Sequence, residues 1–115
     1  MTGSLSTKRE ENNLFVQDDN GKVGFLAFYP RDNALYLSEF YLYESERGKG
    51  YFRQMLEFVI SGAKKLNLNG IELNANKKNS ACRAYESLGF KILRSEKNSI
   101  GNGYFMDDYV YRLEL

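Results

Sequence analysis

Apolar positions change period along the chain, and the change divides it. Leu14-Phe15-Val16 opens a β-rich run that Asp18-Asp19-Asn20-Gly21 breaks. An Asn-Gly pair between two such runs predicts a hairpin, because both residues tolerate positive φ. The return strand is predicted over Val23 to Tyr29, a turn at Pro30-Arg31-Asp32-Asn33, and a third strand over Ala34 to Tyr43. From Phe52 the period becomes helical: Phe52, Met55, Leu56, Val59, Ala63 and Leu66 share one face. Lys64 and Lys65 suit the last turn, and Asn69-Gly70 supplies a stop. Ile71-Glu72-Leu73 is a short strand. A second helix is predicted with Ser80 as N-cap, Ala81, Ala84, Tyr85 and Leu88 on one face, and Gly89 as a left-handed C-cap. Phe90 to Arg94 and Tyr104 to Leu115 are strands joined through Gly101-Asn102-Gly103.

The order is therefore β-β-β-α-β-α-β-β, an α+β chain with two main helices. A helix between the third and fourth strands predicts that this pair is parallel, while the flanking hairpins are antiparallel. The sheet is mixed and mostly antiparallel. Residues 1–13 are polar and are expected to form a flexible tail; residues 14–115 are expected to form a single domain.

Composition agrees with a packed domain: of 115 residues, 43% are apolar and 27% charged, enough for a core without staples. Sixteen basic residues against fifteen acidic ones leave a net charge of +1. That balance gives no electrostatic case for nonspecific nucleic-acid or membrane-surface binding. No apolar run approaches the roughly 18 residues of a membrane span, and the N-terminus has no apolar signal core. A cytoplasmic location is expected.

Two absences narrow the chemistry. There is no histidine, which removes Ser-His-Asp and Cys-His catalysis and imidazole metal sites. The single cysteine, Cys82, has no disulfide partner and no second thiol for a metal, so it is expected to pack as a small apolar residue. No metal site is expected. Chemistry must use carboxylates, tyrosines, backbone amides or a borrowed cofactor.

The most informative stretch is Glu44-Ser45-Glu46-Arg47-Gly48-Lys49-Gly50, between a strand and a long amphipathic helix. Two glycines, two cations and the free amides of a helix start describe a phosphate cradle. The same string also describes a plain strand-to-helix turn with exposed charges. A P-loop needs Gly-x-x-x-x-Gly-Lys-Ser/Thr, which is absent, and a dinucleotide fingerprint needs a third glycine where this chain has Arg53.

Leu42-x-x-x-x-Arg47-Gly48-Lys49-Gly50 resembles the acetyl-CoA pyrophosphate loop of the GNAT superfamily of N-acetyltransferases. Asn79-Ser80-Ala81-Cys82-Arg83-Ala84-Tyr85-Glu86-Ser87-Leu88-Gly89-Phe90 is similar to that family's Asn-rich loop, Tyr-bearing helix and Leu-Gly-Phe entry into the next strand. The two blocks stand in family order and at family spacing. Phe52 replaces a small residue common after the second loop glycine. Members usually place a strand and two helices before the meander, over the acceptor. Thirteen polar residues do not supply them, so an exposed sheet face and a homodimer that covers it are expected.

The resemblance implies direct transfer of acetyl from acetyl-CoA to an amine in a ternary complex, with acetyl-CoA as cosubstrate and no acyl-enzyme. It implies that Arg47, Gly48, Lys49, Gly50 and Tyr51 hold the pyrophosphate, and that Leu42 and Tyr43 hold the pantetheine arm. Asn79 would add a coenzyme contact, and backbone N–H near Leu42 would serve the oxyanion. Tyr85 takes the place of the acid that protonates the departing thiolate; as an apolar-face residue it also reads as a core aromatic. Glu39, a carboxylate on the strand leading to the loop, reads as the base or as part of a solvated face, with ordered water as the other proton route. Asp107-Asp108-Tyr109 reads as an attractor for a cationic amine or as a solvated strand start. Tyr36, Tyr41 and Tyr43 line an acceptor groove or cover a half-exposed sheet. The acceptor is open: peptide N-terminus, lysine, polyamine and antibiotic amine all fit. A noncatalytic acyl-CoA-binding module and a plain interaction domain are the alternatives.

Overall fold

A computed structural model describes residues 5–10 and 13–115 of the chain. Seven strands form one sheet in the order β1-β2-β3-β4-β5-β7-β6. They are β1 (Ser6–Glu10), β2 (Asn13–Asp18), β3 (Gly21–Arg31), β4 (Ala34–Leu42), β5 (Gly70–Asn76), β6 (Lys91–Gly101) and β7 (Tyr104–Glu114). Helix α1 (Tyr51–Lys65) joins β4 to β5, and α2 (Ala81–Ser87) joins β5 to β6. The expected fold class is observed, with β4 and β5 parallel and every other neighbouring pair antiparallel.

Strand β1 corrects part of the expected tail; residues 1–4 and 11–12 lie outside the described residues. Ser6–Glu10 pairs with β2, and Lys22 Nζ lies 2.8 Å from Glu10 Oε2 across the hairpin beyond it. Its exposed, mostly polar side chains suit a sheet edge, where charge discourages pairing with other chains. Such a strand carries no apolar alternation to betray it.

The core lies between one face of the sheet and the two helices. Leu26, Leu35, Leu37, Leu42, Ile71, Leu73 and Tyr111 on the sheet meet Met55, Leu56, Val59 and Ala63 of α1. Gly24 sits among them, where a Cβ would run into the Tyr41 carbonyl oxygen of β4. Leu66, assigned by its spacing to the apolar face of α1, is exposed.

Helix α1 stops two residues before the predicted signal. Asn67, at φ 57°, takes the left-handed position, with Leu68 N–H donating to Ala63 O and Asn67 N–H to Lys64 O. Gly70 instead opens β5, where a Cβ would meet the Arg112 guanidinium at 2.7 Å. The cap of α2 is also shifted. Ser80 already has helical angles, and it is Asn79 Oδ1 that accepts from Ala81 N–H at 2.9 Å. Gly89 holds its expected place at φ 103°. Strand β6 runs longer than predicted, β7 matches its prediction to within one residue, and the two meet at Asn102 (φ 52°) and Gly103 (φ 77°), the paired positive φ of a tight hairpin turn.

Candidate active site

Strands β4 and β5 pair only from Ala34↔Gly70 to Tyr36↔Glu72 and then diverge. Among the described residues, no strand pairs with that edge of β4 beyond Tyr36. On the other edge, Tyr43 N–H donates to Val23 O at 2.8 Å, and this sets the antiparallel alternation. Tyr41 points its backbone groups at β3, so Phe40 and Leu42 point theirs into the gap. Arg47 Nε donates to Leu42 O at 3.1 Å from that side, as the alternation requires. The N–H groups of Phe40 and Leu42 are left facing the gap.

A cleft of about 460 Å³ occupies this divergence. Phe40, Phe52 and Tyr85 line it on the helix side, and Glu39, Tyr41 and Asn74 on the opposite side, so it opens through the plane of the sheet. Of the residues singled out from sequence, Glu39, Tyr41, Arg47, Asn79 and Tyr85 meet here. Leu42 ends the strand beside it, Tyr43 follows, and Gly48 to Tyr51 form the adjoining loop and helix start.

That loop has the conformation its glycines permit. Gly48 and Gly50 stand at φ 82° and 80°, and a Cβ on either would meet nothing within 4 Å. Positive φ, and not crowding by the protein, is the reason for glycine at both. The side chains near them already have partners within the protein. Lys49 Nζ lies 3.1 Å from Glu46 Oε1, and the Arg47 guanidinium lies over the Tyr41 ring at 5.6 Å. The Tyr51 hydroxyl donates to Asp18 Oδ2 at 2.8 Å, tying the helix start to the β2–β3 turn. That bond holds the Asp18 carboxyl below its ordinary range and the Tyr51 phenol above its own. What the loop offers a ligand is backbone N–H at the start of a fifteen-residue helix.

Tyr85 is both a core aromatic and a cleft residue. Its ring stacks on Phe40 at 6.0 Å and meets Phe52, Phe90 and Tyr111 edge-on. The turn after α2 fixes it: Phe90 N–H donates to Tyr85 O and Gly89 N–H to Glu86 O, both at 3.1 Å. The Tyr-Glu-x-Leu-Gly-Phe string is thus one capping motif that locks the ring. Burial, then the nearby Cys82, push the Tyr85 phenol above its ordinary pKa, against a smaller opposing effect of Arg47. It stays protonated at neutral pH.

Glu39 is exposed beside a bulge that displaces Ser38. Cys82 is buried against the Asn76 carbonyl, as a packing residue would be. Phe40 and Asn74 were not picked out from sequence. Asn74 lay past the predicted end of β5, although the alternation of Glu72, Asn74 and Asn76 with Ile71, Leu73 and Ala75 carries a strand signal that reaches it. No helix among the described residues is long and apolar enough to cross a membrane.

The family model described as an acetyltransferase (GNAT) domain matches residues 10–92, more than half of the chain and every residue that lines this cleft. The chain belongs to the GNAT acetyltransferase family. No curated protein matches it in sequence. Among solved structures, Ard1 from Thermoplasma volcanium is 18% identical and superposes with a TM-score of 0.76, over 91% of this chain and 71% of that one. A GNAT acetyltransferase from Elizabethkingia anophelis with acetyl-CoA bound is 21% identical at TM-score 0.75, over 90% and 75%. An acetyltransferase from Bacillus subtilis in complex with CoA is 16% identical at TM-score 0.76 and covers 99% of both chains.

Proposed function

We propose that this GNAT protein transfers acetyl from acetyl-CoA directly to an amine within a ternary complex. The observation that carries the reading is a cleft open through the sheet, with backbone N–H groups and a protonated tyrosine on its helix side. Two relatives of the same fold bind CoA or acetyl-CoA, which supports acetyl-CoA as cosubstrate. The pyrophosphate rests on the N–H groups from Gly48 to Tyr51, with Arg47 and Lys49 released from their present partners, and Asn79 borders the coenzyme. Leu42 and Tyr43 flank the pantetheine arm, and the N–H of Leu42 serves the oxyanion.

The amine arrives from the open face. Its nitrogen forms a bond to the acetyl carbon as the C–S bond breaks. The amine proton leaves through Glu39 or ordered water, and the Tyr85 phenol protonates the departing thiolate. An amine with a pKa near 10 needs that first proton loss at neutral pH. Glu39→Gln is expected to flatten the pH dependence of kcat/KM; an unchanged profile removes Glu39 and leaves water.

CoA release from acetyl-CoA, measured alone and with a panel of amines, tests the function. Amine-stimulated release is expected. Coenzyme binding without stimulation would instead mean a noncatalytic acyl-CoA module, and no binding would reject both. A cytoplasmic location and a homodimer belong to the same reading. The hairpin tip, where Ile100, Tyr104 and Phe105 are more than half exposed, supports a second subunit. A monomer at every concentration in light scattering would reject the dimer.

A further inference from the structure

The open face of the sheet carries a carboxylate that the proposed transfer does not use. Asp108, in the middle of β7, is only 8% exposed, and its Oδ1 is buried with no partner among the described residues. It is not the solvated strand start that its sequence context allowed. Cross-strand register puts it on one face with Asn76 of β5 and Glu96 of β6, its direct neighbours. Two carboxylates directly opposite each other repel, and a buried carboxylate without a donor is costly.

Among the described residues, no cation of the protein pairs with Asp108. Arg112 is held by Glu72 at 2.6 Å and by Glu114, Arg31 lies 3.8 Å from Glu72, and Arg94 binds the far oxygen of Glu96 at 3.0 Å. Lys77 and Lys97 lie over the rings of Tyr109 and Phe105. A buried acceptor atom with no donor requires an explanation, and a ligand cation is one.

The location says which cation. Asn74 lines the cleft that holds Glu39 and Tyr85, and it also lines an open polar depression of about 410 Å³ with Glu72, Arg94 and Glu96. Asp108 is diagonal to Asn74 across the β5–β7 ladder, where neighbours stand roughly 7–8 Å apart. Between them, Asn74 accepts from the Tyr36 hydroxyl at 3.2 Å and donates to Glu96 at a long 3.4 Å. That last bond is weak enough for a better donor to replace. An ammonium group, with three donors, suits the Asp108, Glu96 and Asn74 oxygens together.

We infer that Asp108, with Glu96, holds a second ammonium group of the acceptor, so that the preferred acceptor is a small aliphatic diamine. The inference rests on the acetyl-transfer reading for the role of the first amine, but the cation site itself does not. The probes are 1,4-diaminobutane and 1-aminobutane, which share a carbon chain and differ by one charge. With acetyl-CoA, the wild-type protein is expected to favour the diamine in kcat/KM by about tenfold or more. Asp108→Asn is expected to bring that ratio close to one. Calorimetry without acetyl-CoA is expected to show diamine binding to the wild-type protein and its loss in the variant.

A wild-type ratio near one, or a ratio unchanged in Asp108→Asn, overturns the inference while amine-stimulated CoA release keeps the transfer reading. Diamine binding that depends on Asp108 without any turnover does the reverse. A structural role for Asp108 predicts a lower melting temperature for Asp108→Asn, whereas relief of an unpaired buried charge predicts an equal or higher one. If that variant does not fold, Glu96→Gln, on the more exposed partner, is expected to lower the same ratio, and an unchanged ratio there overturns the inference.

Discussion

The two faces of the sheet are built from the same strands and obey different rules. On the helix side, Leu35, Leu37, Ile71, Leu73 and Tyr111 are buried against α1 and α2, and the buried Tyr111 hydroxyl donates to Glu86 at 2.7 Å. On the open side, Tyr36, Asn74, Glu96 and Arg94 are linked by hydrogen bonds, as are Glu72 and Arg112, while Asp108 Oδ1 has no partner among the described residues. Away from the cleft, the helix side is closed chemically and sterically, as a scaffold for a coenzyme should be. The open side keeps an unmet acceptor, which marks it as the side that meets a variable ligand. In one small domain, stability and specificity are thereby assigned to opposite faces of a single layer.

The largest expected effect falls on the scaffold side. Gly24→Ala puts a methyl group into the Tyr41 carbonyl oxygen, a backbone atom with no rotamer to escape by. Chemical denaturation is expected to show a loss of about 3 kcal/mol or failure to fold. A loss below about 0.5 kcal/mol would mean that β3 and β4 yield at the place where the cleft begins, and the rigid-scaffold half of the comparison would fail.

Next in size is Tyr85→Phe, which keeps every ring contact and removes one hydroxyl. Turnover is expected to fall on the order of 100-fold, with little change in the acetyl-CoA-dependent shift in melting temperature. An unchanged turnover would make the helix side a scaffold alone and move all chemistry to the open face.

How far each face was legible follows from the range of the interactions that build it. The helix side is local: the spacing of Met55, Leu56, Val59 and Ala63, and the string from Tyr85 to Phe90, each act within two turns of chain. Their reading required no knowledge of strand order. Errors there were small shifts among chemically equivalent caps, Asn67 for Asn69-Gly70 and Asn79 for Ser80. The open side is assembled by register. Asp108 and Glu96 are twelve residues apart and become neighbours only through a hairpin with irregular register, and Asn74 reaches Tyr36 only because β4 and β5 run parallel. Strand β1 escaped for a third reason, since an exposed edge requires no apolar alternation.

The smallest effect tests whether the helix side is as closed as its packing indicates. Tyr111 is wholly buried, and burial first, then hydrogen bonding to its neighbours including Glu86, keeps its phenol far above the ordinary tyrosine range. In the unfolded chain it titrates near pH 10. Above that pH the unfolded state releases a proton that the native state retains, so the native state binds more protons and stability falls as pH rises. Once the unfolded tyrosine is ionised, the slope from this residue is about 1.4 kcal/mol per pH unit. Tyr111→Phe removes the bond to Glu86 and is expected to be less stable by about 1 kcal/mol at pH 7. It also removes the proton, so its alkaline decline is shallower and the two proteins are expected to become equally stable roughly one pH unit above 10. Urea midpoints from pH 7 to pH 11.5 measure both limbs. Parallel alkaline limbs would mean that Tyr111 ionises in the native protein as readily as in the unfolded one, and the helix side would then admit water at its centre.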